Sequence, residues 1–196
     1  MKHIFFLIIA MFCLASYVSA KTIVVTHKAS TVYNKNISDA CERKMSHGNI
    51  EIVNHLKYIE VKKKGVVVAS FDPVQVDRNS IYIWVELSPN GKMILFSTSD
   101  QGVFVCNLKG KILYRLGKGV HATNWWNNRY IVGMIDEDNG LDFTKSDLVM
   151  VDIKTGVKIP IETEEEIALY PCANKPYVDY FTMDGNKYTI KLTIKN

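Results

Sequence analysis

After residue 20 nothing in this sequence sustains a helical stripe, and no apolar run there is long enough to cross a bilayer. Cysteine is scarce: of four in 196 residues, Cys41, Cys106 and Cys172 lie beyond the first twenty. That excludes a disulfide-framework protein, and an odd count leaves at least one thiol unpaired in an oxidising compartment. A Cys41–Cys172 bridge is compatible with the sequence, but spacing does not assign it. Cys106, inside Val103-Phe104-Val105-Cys106, reads as a small buried core residue. An excess of one charge is missing too. A formal net charge of +4 is too mild to imply nucleic acid. The tightest basic run, Lys62-Lys63-Lys64 before Gly65, reads as a solvated hairpin turn. There is no Gly-x-Ser-x-Gly elbow and no His-Glu-x-x-His helix, so two common hydrolase signatures are absent.

The first twenty residues carry a different message. Lys2 and His3 give a basic start, Ile4 to Leu14 is an unbroken apolar run, and Val18-Ser19-Ala20 places small side chains where a signal peptidase cuts. The run is shorter than the roughly 18 residues of a spanning helix. The reading is a signal peptide over 1–20 cleaved after Ala20, and a periplasmic or secreted product with no membrane span. What remains, about 176 residues, is one domain's worth. The apolar fraction of 47% is ample for a packed core.

From Thr22 onward the dominant period is two. Short β-branched and aromatic runs recur, such as Ile81-Tyr82-Ile83-Trp84-Val85, Met93-Ile94-Leu95-Phe96 and Leu148-Val149-Met150-Val151. Turn signals separate them: Asp72-Pro73, Pro89-Asn90-Gly91, Lys109-Gly110, Asn139-Gly140, Thr155-Gly156 and Asp184-Gly185. Between Ser38 and Met45 a single helical turn is expected, capped by Ser38-Asp39. The chain is all-β.

The strands repeat. A polar turn, a strand, a gap and a second strand ending in Asn or Asp occur three times, with Lys92, Arg129 and Lys175 at corresponding places roughly 40 residues apart. A polar insert, Asp136 to Lys145, lengthens the second copy. Each unit predicts a four-stranded antiparallel sheet with two apolar faces, which can bury neither alone and must stack on neighbours.

Ser88-Pro89-Asn90-Gly91-Lys92 through Leu108-Lys109-Gly110-Lys111 resembles the Ser-Pro-Asp-Gly-Lys repeat of TolB-like, WD-type β-propellers. Val132 to Gly140 and Ile167 to Pro171 resemble later blades of exported, Bacteroides-like members, so the chain looks like the C-terminal half of a longer propeller. The resemblance covers about residues 50–196, after an N-terminal strand and irregular segment over 21–49. Asn90 departs from the usual Asp, the second copy lacks Ser-Pro, and Pro176 stands where a strand usually begins. Closed propellers need about four to eight blades. This chain has room for three to four, so a small or incomplete ring is expected, with Thr22 to Thr26 able to complete the last blade.

On that frame His121, Trp125 and Trp126, with Trp84 and Glu86 at the equivalent place one unit earlier, fall on innermost strands facing the channel. They are candidate ligand-binding residues for peptide or sugar; the alternative is that the tryptophans pack between blades. Asp136, Asp138 and Asp142 gather carboxylates in one loop that could hold Ca²⁺, though Gly140 falls one place early for a calcium loop and no Glu closes it. No other cofactor is implied. His27, His47, His55 and His121 lack metal-ligand spacing. Gly117 to Ala122 superficially matches a dinucleotide loop but leads to Thr123-Asn124-Trp125-Trp126 instead of a helix. Asn36-Ile37-Ser38 is a glycosylation sequon, relevant only in a eukaryotic secretory pathway. The functional expectation is an exported, non-enzymatic binding or scaffold module acting through protein contacts, with self-association through exposed blade faces. The alternatives are a carbohydrate lyase or hydrolase using His121 with Asp136 or Asp138, and a degenerate paralogue without independent activity.

Overall fold

A computed structural model describes residues 21–27, 31–32 and 41–195. The expected signal peptide, the sequon and residues 38–40 lie outside that set. Among the described residues no helix is long and apolar enough to cross a membrane. The period of two is realised throughout. β1 (Thr22–His27) and β2 (Thr31–Val32) precede a first sheet of β3 (Ser46–His47), β4 (Ile50–Asn54), β5 (Ile59–Lys63) and β6 (Val66–Phe71). A second sheet holds β7 (Tyr82–Leu87), β8 (Met93–Thr98), β9 (Gly102–Asn107) and β10 (Ile112–Gly117). The third holds β11 (His121–Trp125), β12 (Tyr130–Asp138), β13 (Phe143–Asp152) and β14 (Lys158–Ile161). Three late strands, β15 (Leu169–Asn174), β16 (Tyr177–Phe181) and β17 (Asn186–Lys195), make the fourth, and β1 completes it by pairing antiparallel with β17, Thr22 opposite Lys195. Residues 41–45, where a helical turn was expected, are not helical.

Each middle sheet is apolar on both faces because each is sandwiched. Ile94 and Phe96 of β8 pack with Ile52, Ile59 and Val61 of the first sheet. Leu95, between them in sequence, turns the other way and joins Trp125, Ile131, Val149 and Val151 of the third. The third sheet's opposite face, with Val132, Met134, Leu148 and Met150, packs on Val178, Tyr180, Ile190 and Leu192 of the fourth. Four stacked sheets therefore enclose three cores, and they do not close into a ring.

The two terminal faces differ from the cores. On the first sheet Glu60 lies 3.5 Å from Lys62 and 3.9 Å from His55. On the fourth, Asp179 pairs with Lys187 at 3.2 Å and accepts from Thr189 Oγ1 at 2.6 Å. The fourth sheet thus has the polar outer surface that an end-capping unit of a stacked array needs, whereas the first sheet also exposes Val66, Val67 and Val68 of β6.

The polar turns behave as their sequence implies. Ser88 Oγ accepts from the Met93 amide at 2.9 Å, and Asn90 Oδ1 from the Lys92 amide at 3.1 Å, so Asn90 does the work expected of an aspartate. In the next copy Asn127 Oδ1 takes the Arg129 and Tyr130 amides at 2.7 and 2.9 Å.

Candidate functional site

The innermost strands β7, β11 and β15 share a backbone device. Each contains one non-glycine residue in the left-handed region: Trp84 (φ 49°), Ala122 (φ 47°) and Tyr170 (φ 48°). At each, the pairing register shifts against the neighbouring strand, between Ile83 and Glu86, His121 and Asn124, and Leu169 and Cys172. A non-glycine residue there costs about 1 kcal/mol or more. Its recurrence at three equivalent places marks the bulge as part of the architecture.

The bulge re-aims the side chains beyond it. With one extra residue inserted, Glu86 is opposite Leu95, Asn124 opposite Val132 and Cys172 opposite Asp179, so each side chain faces the next sheet along. Glu86 Oε2 accepts the Trp125 amide of the third sheet at 3.0 Å, and its carbonyl accepts Trp125 Nε1 at 3.3 Å. Asn124 Oδ1 accepts the Ala173 amide of the fourth sheet at 2.7 Å, while its Nδ2 donates to the Pro171 carbonyl. One side chain thus bridges each of these inner strands to the next. Asn124→Ala strands the Ala173 amide, and urea titration should show a loss of about 1–3 kcal/mol; a loss under a few tenths would contradict the bridge.

Among the described residues the fourth sheet has no fifth beyond it. Cys172 faces that side and is bonded to Cys41, with Cα atoms 5.2 Å apart, while Cys106 is free and buried. From Cys41 the chain returns across the inner strands toward the first sheet. Cys41, Arg43 and Met45 are partly buried and Glu42 and Lys44 exposed, an extended alternation. Arg43 donates to the Thr123 carbonyl of β11 and lies 4.0 Å from Glu86. The Lys44 carbonyl accepts the Leu87 amide of β7 at 2.7 Å, and the Met45 carbonyl the Ile52 amide of β4 at 2.8 Å. Burial pushes the Glu86 carboxyl up to about 7, opposed by the Trp125 amide and by Arg43. Burial also lowers the Arg43 guanidinium, against the attraction of Glu86. In both groups desolvation outweighs the pairing.

A second feature is a cleft of about 150 Å³ between the second and third sheets, lined among others by Ile83, Trp84, Ser97, Asp100, Lys118 and His121. Ser97 is 3% exposed, and its hydroxyl is buried with no hydrogen-bond partner. His121 is half exposed, with Nε2 3.6 Å from Asp136 Oδ1.

The sequence-derived candidates therefore separate into pairs. Trp84 and His121 meet in the cleft, Glu86 and Trp125 meet across two sheets, and His121 meets Asp136. Trp125 and Trp126 are 4% and 6% exposed and pack between sheets, Trp126 under the Lys175 ammonium at 5.0 Å from the ring. Asp138 and Asp142 are exposed in a loop that turns on its own amides, Asp138 accepting from Gly140 and Asn139 from Asp142, each at 2.9 Å. Among the described residues no group of three His, Cys, Asp or Glu could hold a metal ion. Sequence reasoning missed Arg43 and Asn124, whereas the Cys41–Cys172 bridge it left open is formed. Aligning β11 on β7 puts Asn124 under Glu86, the one signal that could have found it.

The same stacking of four-stranded sheets occurs in the crystal structure of the Myceliophteria_thermophila Cps50 (Swd1) β-propeller domain, with a TM-score of 0.53 and 10% identity over 74% of this chain and 48% of that one. The four sheets are propeller blades. The chain spans about half the length of that domain, in keeping with an arc instead of a ring. BamB from Moraxella catarrhalis aligns less well, with a TM-score of 0.36 and 11% identity over 80% of this chain and 58% of its own. No known family's sequence model matches the chain, and no curated protein matches it significantly.

Proposed function

We propose that this protein is an exported, non-enzymatic binding module of the TolB-like propeller kind, acting through protein contacts in the periplasm or outside the cell after cleavage following Ala20. The cleft between the second and third blades carries this reading. It is a concavity walled by Ile83 and Trp84 and rimmed by Asp100, Lys118 and His121. Apolar walls with a few polar groups suit recognition. A volume of about 150 Å³ suits one protruding side chain of a partner protein better than a whole small molecule. The Cys41–Cys172 bond supports export, because such bonds persist in oxidising compartments. The outer face of the fourth blade is polar and internally paired, so in this reading a partner docks at the cleft and does not stack on that blade.

A photo-crosslinking side chain at Lys118, on the cleft, is expected to give a discrete protein adduct in the producing cell. The same group at Lys158, on an outer strand, should not. Trp84→Ala should abolish the Lys118 adduct, and Ala122 shows that alanine is tolerated at this backbone position. Equal adducts from Lys118 and Lys158, or adducts indifferent to Trp84, would sink the proposal.

A further inference from the structure

Antiparallel order within a blade sorts its turns to two opposite ends. Turns from first to second strand and from third to fourth lie at one end. Turns from second to third strand, and the connections from blade to blade, lie at the other. The blades share one orientation. The Asn90 amide of the β7–β8 turn donates to Asn128 Oδ1 of the β11–β12 turn at 3.0 Å, and Lys175 of the β15–β16 turn covers Trp126. Gly91 lies against the His47 side chain at the β3–β4 turn.

Charge follows that division. The first-to-second turns hold Lys92, Arg129 and Lys175. The third-to-fourth turns and their flanks hold Lys63, Lys64, Lys109, Lys111 and Lys154. All of these lysines are exposed, and among the described residues none is in an ion pair. Carboxylates beside these turns are Asp152, buried and bonded to Arg129, and Glu51, whose strand partner is Lys62. The opposite end reverses the sign. Asp138, Asp142 and Asp184 lie in or beside second-to-third turns, and Glu162, Glu164 and Glu166 are exposed between the third and fourth blades. Cations there such as Lys57, Lys145 and Lys187 are bonded to carbonyls or carboxylates.

The third-to-fourth hairpins of the first three blades each add an exposed aliphatic side chain to their lysines. Val66, Val67 and Val68 follow Lys62-Lys63-Lys64-Gly65 and are 66%, 49% and 57% exposed. Leu113, two residues after Lys111, is 40% exposed, and Val157, between Lys154 and Lys158, is 55% exposed. The first hairpin is held in place: Lys64 and Gly65 make a left-handed two-residue turn, and the Lys64 amide donates to the Asn49 carbonyl at 2.9 Å. Single exposed aliphatics need no explanation. Their pairing with lysine in three successive blades, at one end, does.

We infer that this end of the arc is a docking surface for a membrane rich in anionic lipid. The ammonium groups meet lipid phosphates, and the aliphatic side chains of the three hairpins enter the boundary between headgroups and acyl chains. Lysine suits a field of scattered phosphates as a point charge, whereas a shaped anion site favours bidentate arginine. The arginine of these turns, Arg129, is already taken by Asp152. An acidic protein would use the lysines but leave the valines without a role. The acidic turns are repelled by the same lipid, so the arc docks in one orientation. The cleft at Trp84 and His121, among the opposite turns, then faces away from the membrane. The inference goes beyond the binding-module reading and stands without it, because vesicle binding needs no protein partner.

The test is co-sedimentation of the full-length mature chain with lipid vesicles. Vesicles of phosphatidylglycerol and phosphatidylcholine in equal parts should bind it, phosphatidylcholine alone should not, and about 0.5 M salt should release it. K63Q/K64Q should weaken binding about twentyfold, since each lysine at an anionic surface contributes about fivefold. K145Q/K187Q removes the same charge from the opposite end and should change binding by less than about twofold. V66N/V157N, which keeps every lysine, should cost about tenfold through lost apolar burial. The substituted positions are exposed or partly exposed, and near-ultraviolet circular dichroism checks that each variant is folded. Val66→Trp gives a second readout, an emission shift to shorter wavelength on anionic vesicles relative to wild type. Equal losses from the two lysine pairs, indifference to V66N/V157N, or binding to soluble polyglutamate without binding to vesicles overturns the membrane surface.

Discussion

Cys172→Ser should lower the unfolding free energy by up to about 5 kcal/mol. The bond joins residues 131 apart, and the chain-entropy relation for a loop of that length gives about that figure, within the 2–5 kcal/mol usual for a natural bond. Position adds to length here. The bond fastens the segment that crosses all four blades, so its loss frees Arg43 and Met45 as well as the unfolded chain. Guanidinium titrations of the oxidised wild type and of C172S would measure the difference directly. A midpoint shift worth less than about 1 kcal/mol would mean that the staple contributes little.

The second large effect is a dependence on pH centred on Glu86. Its carboxyl titrates near 7 in the folded protein, against an ordinary 4.5, chiefly because it is buried. Between those values the folded protein retains a proton that the unfolded chain has released. The unfolded state then binds fewer protons, so stability falls as pH rises through this window and is fully lost from this source above about 7. The displacement corresponds to about 3 kcal/mol. Wild-type protein should therefore be more stable near pH 5 than near pH 8, and E86Q, which cannot titrate, should flatten the difference to within about 1 kcal/mol. Asp152, held low by Arg129 despite its own burial, acts in acid below this window. A slope unchanged in E86Q would place the titrating group elsewhere.

The strands were legible because β-branched and aromatic runs alternate with turn chemistry that has a local cause. Asn90 and Asn127 hold the backbone by themselves, without help from distant parts of the fold. Completion of the last blade by β1 was legible for a similar reason, since three late strands needed a fourth. The inter-blade bridges were hidden. They depend on a left-handed residue that is tryptophan in one blade, alanine in another and tyrosine in a third, and no side-chain preference unites these. The bridging positions are as unlike, a carboxylate, an amide and a thiol. Arg43 sits in a stretch with no periodic signal, because its extended form is imposed by the strands beneath it. The tryptophans illustrate the opposite limit. Their place on or beside an inner strand was readable, but only the bulge decides which way each ring turns, and Trp125 and Trp126 turn into the cores while Trp84 reaches the cleft.

The pairing of β1 with β17 also sets the order in which the molecule can be finished. In synthesis or translocation β1 is made before the other described strands and β17 after them. β1 must therefore wait, unpaired, until β17 has been made. The first three blades can assemble from neighbouring segments, whereas the fourth requires the most distant strand pairing in the fold, the slowest kind to form. Any truncated or stalled product therefore bares the apolar face that the third blade shares with the fourth, and quality-control factors that bind such surfaces can sort unfinished molecules from finished ones.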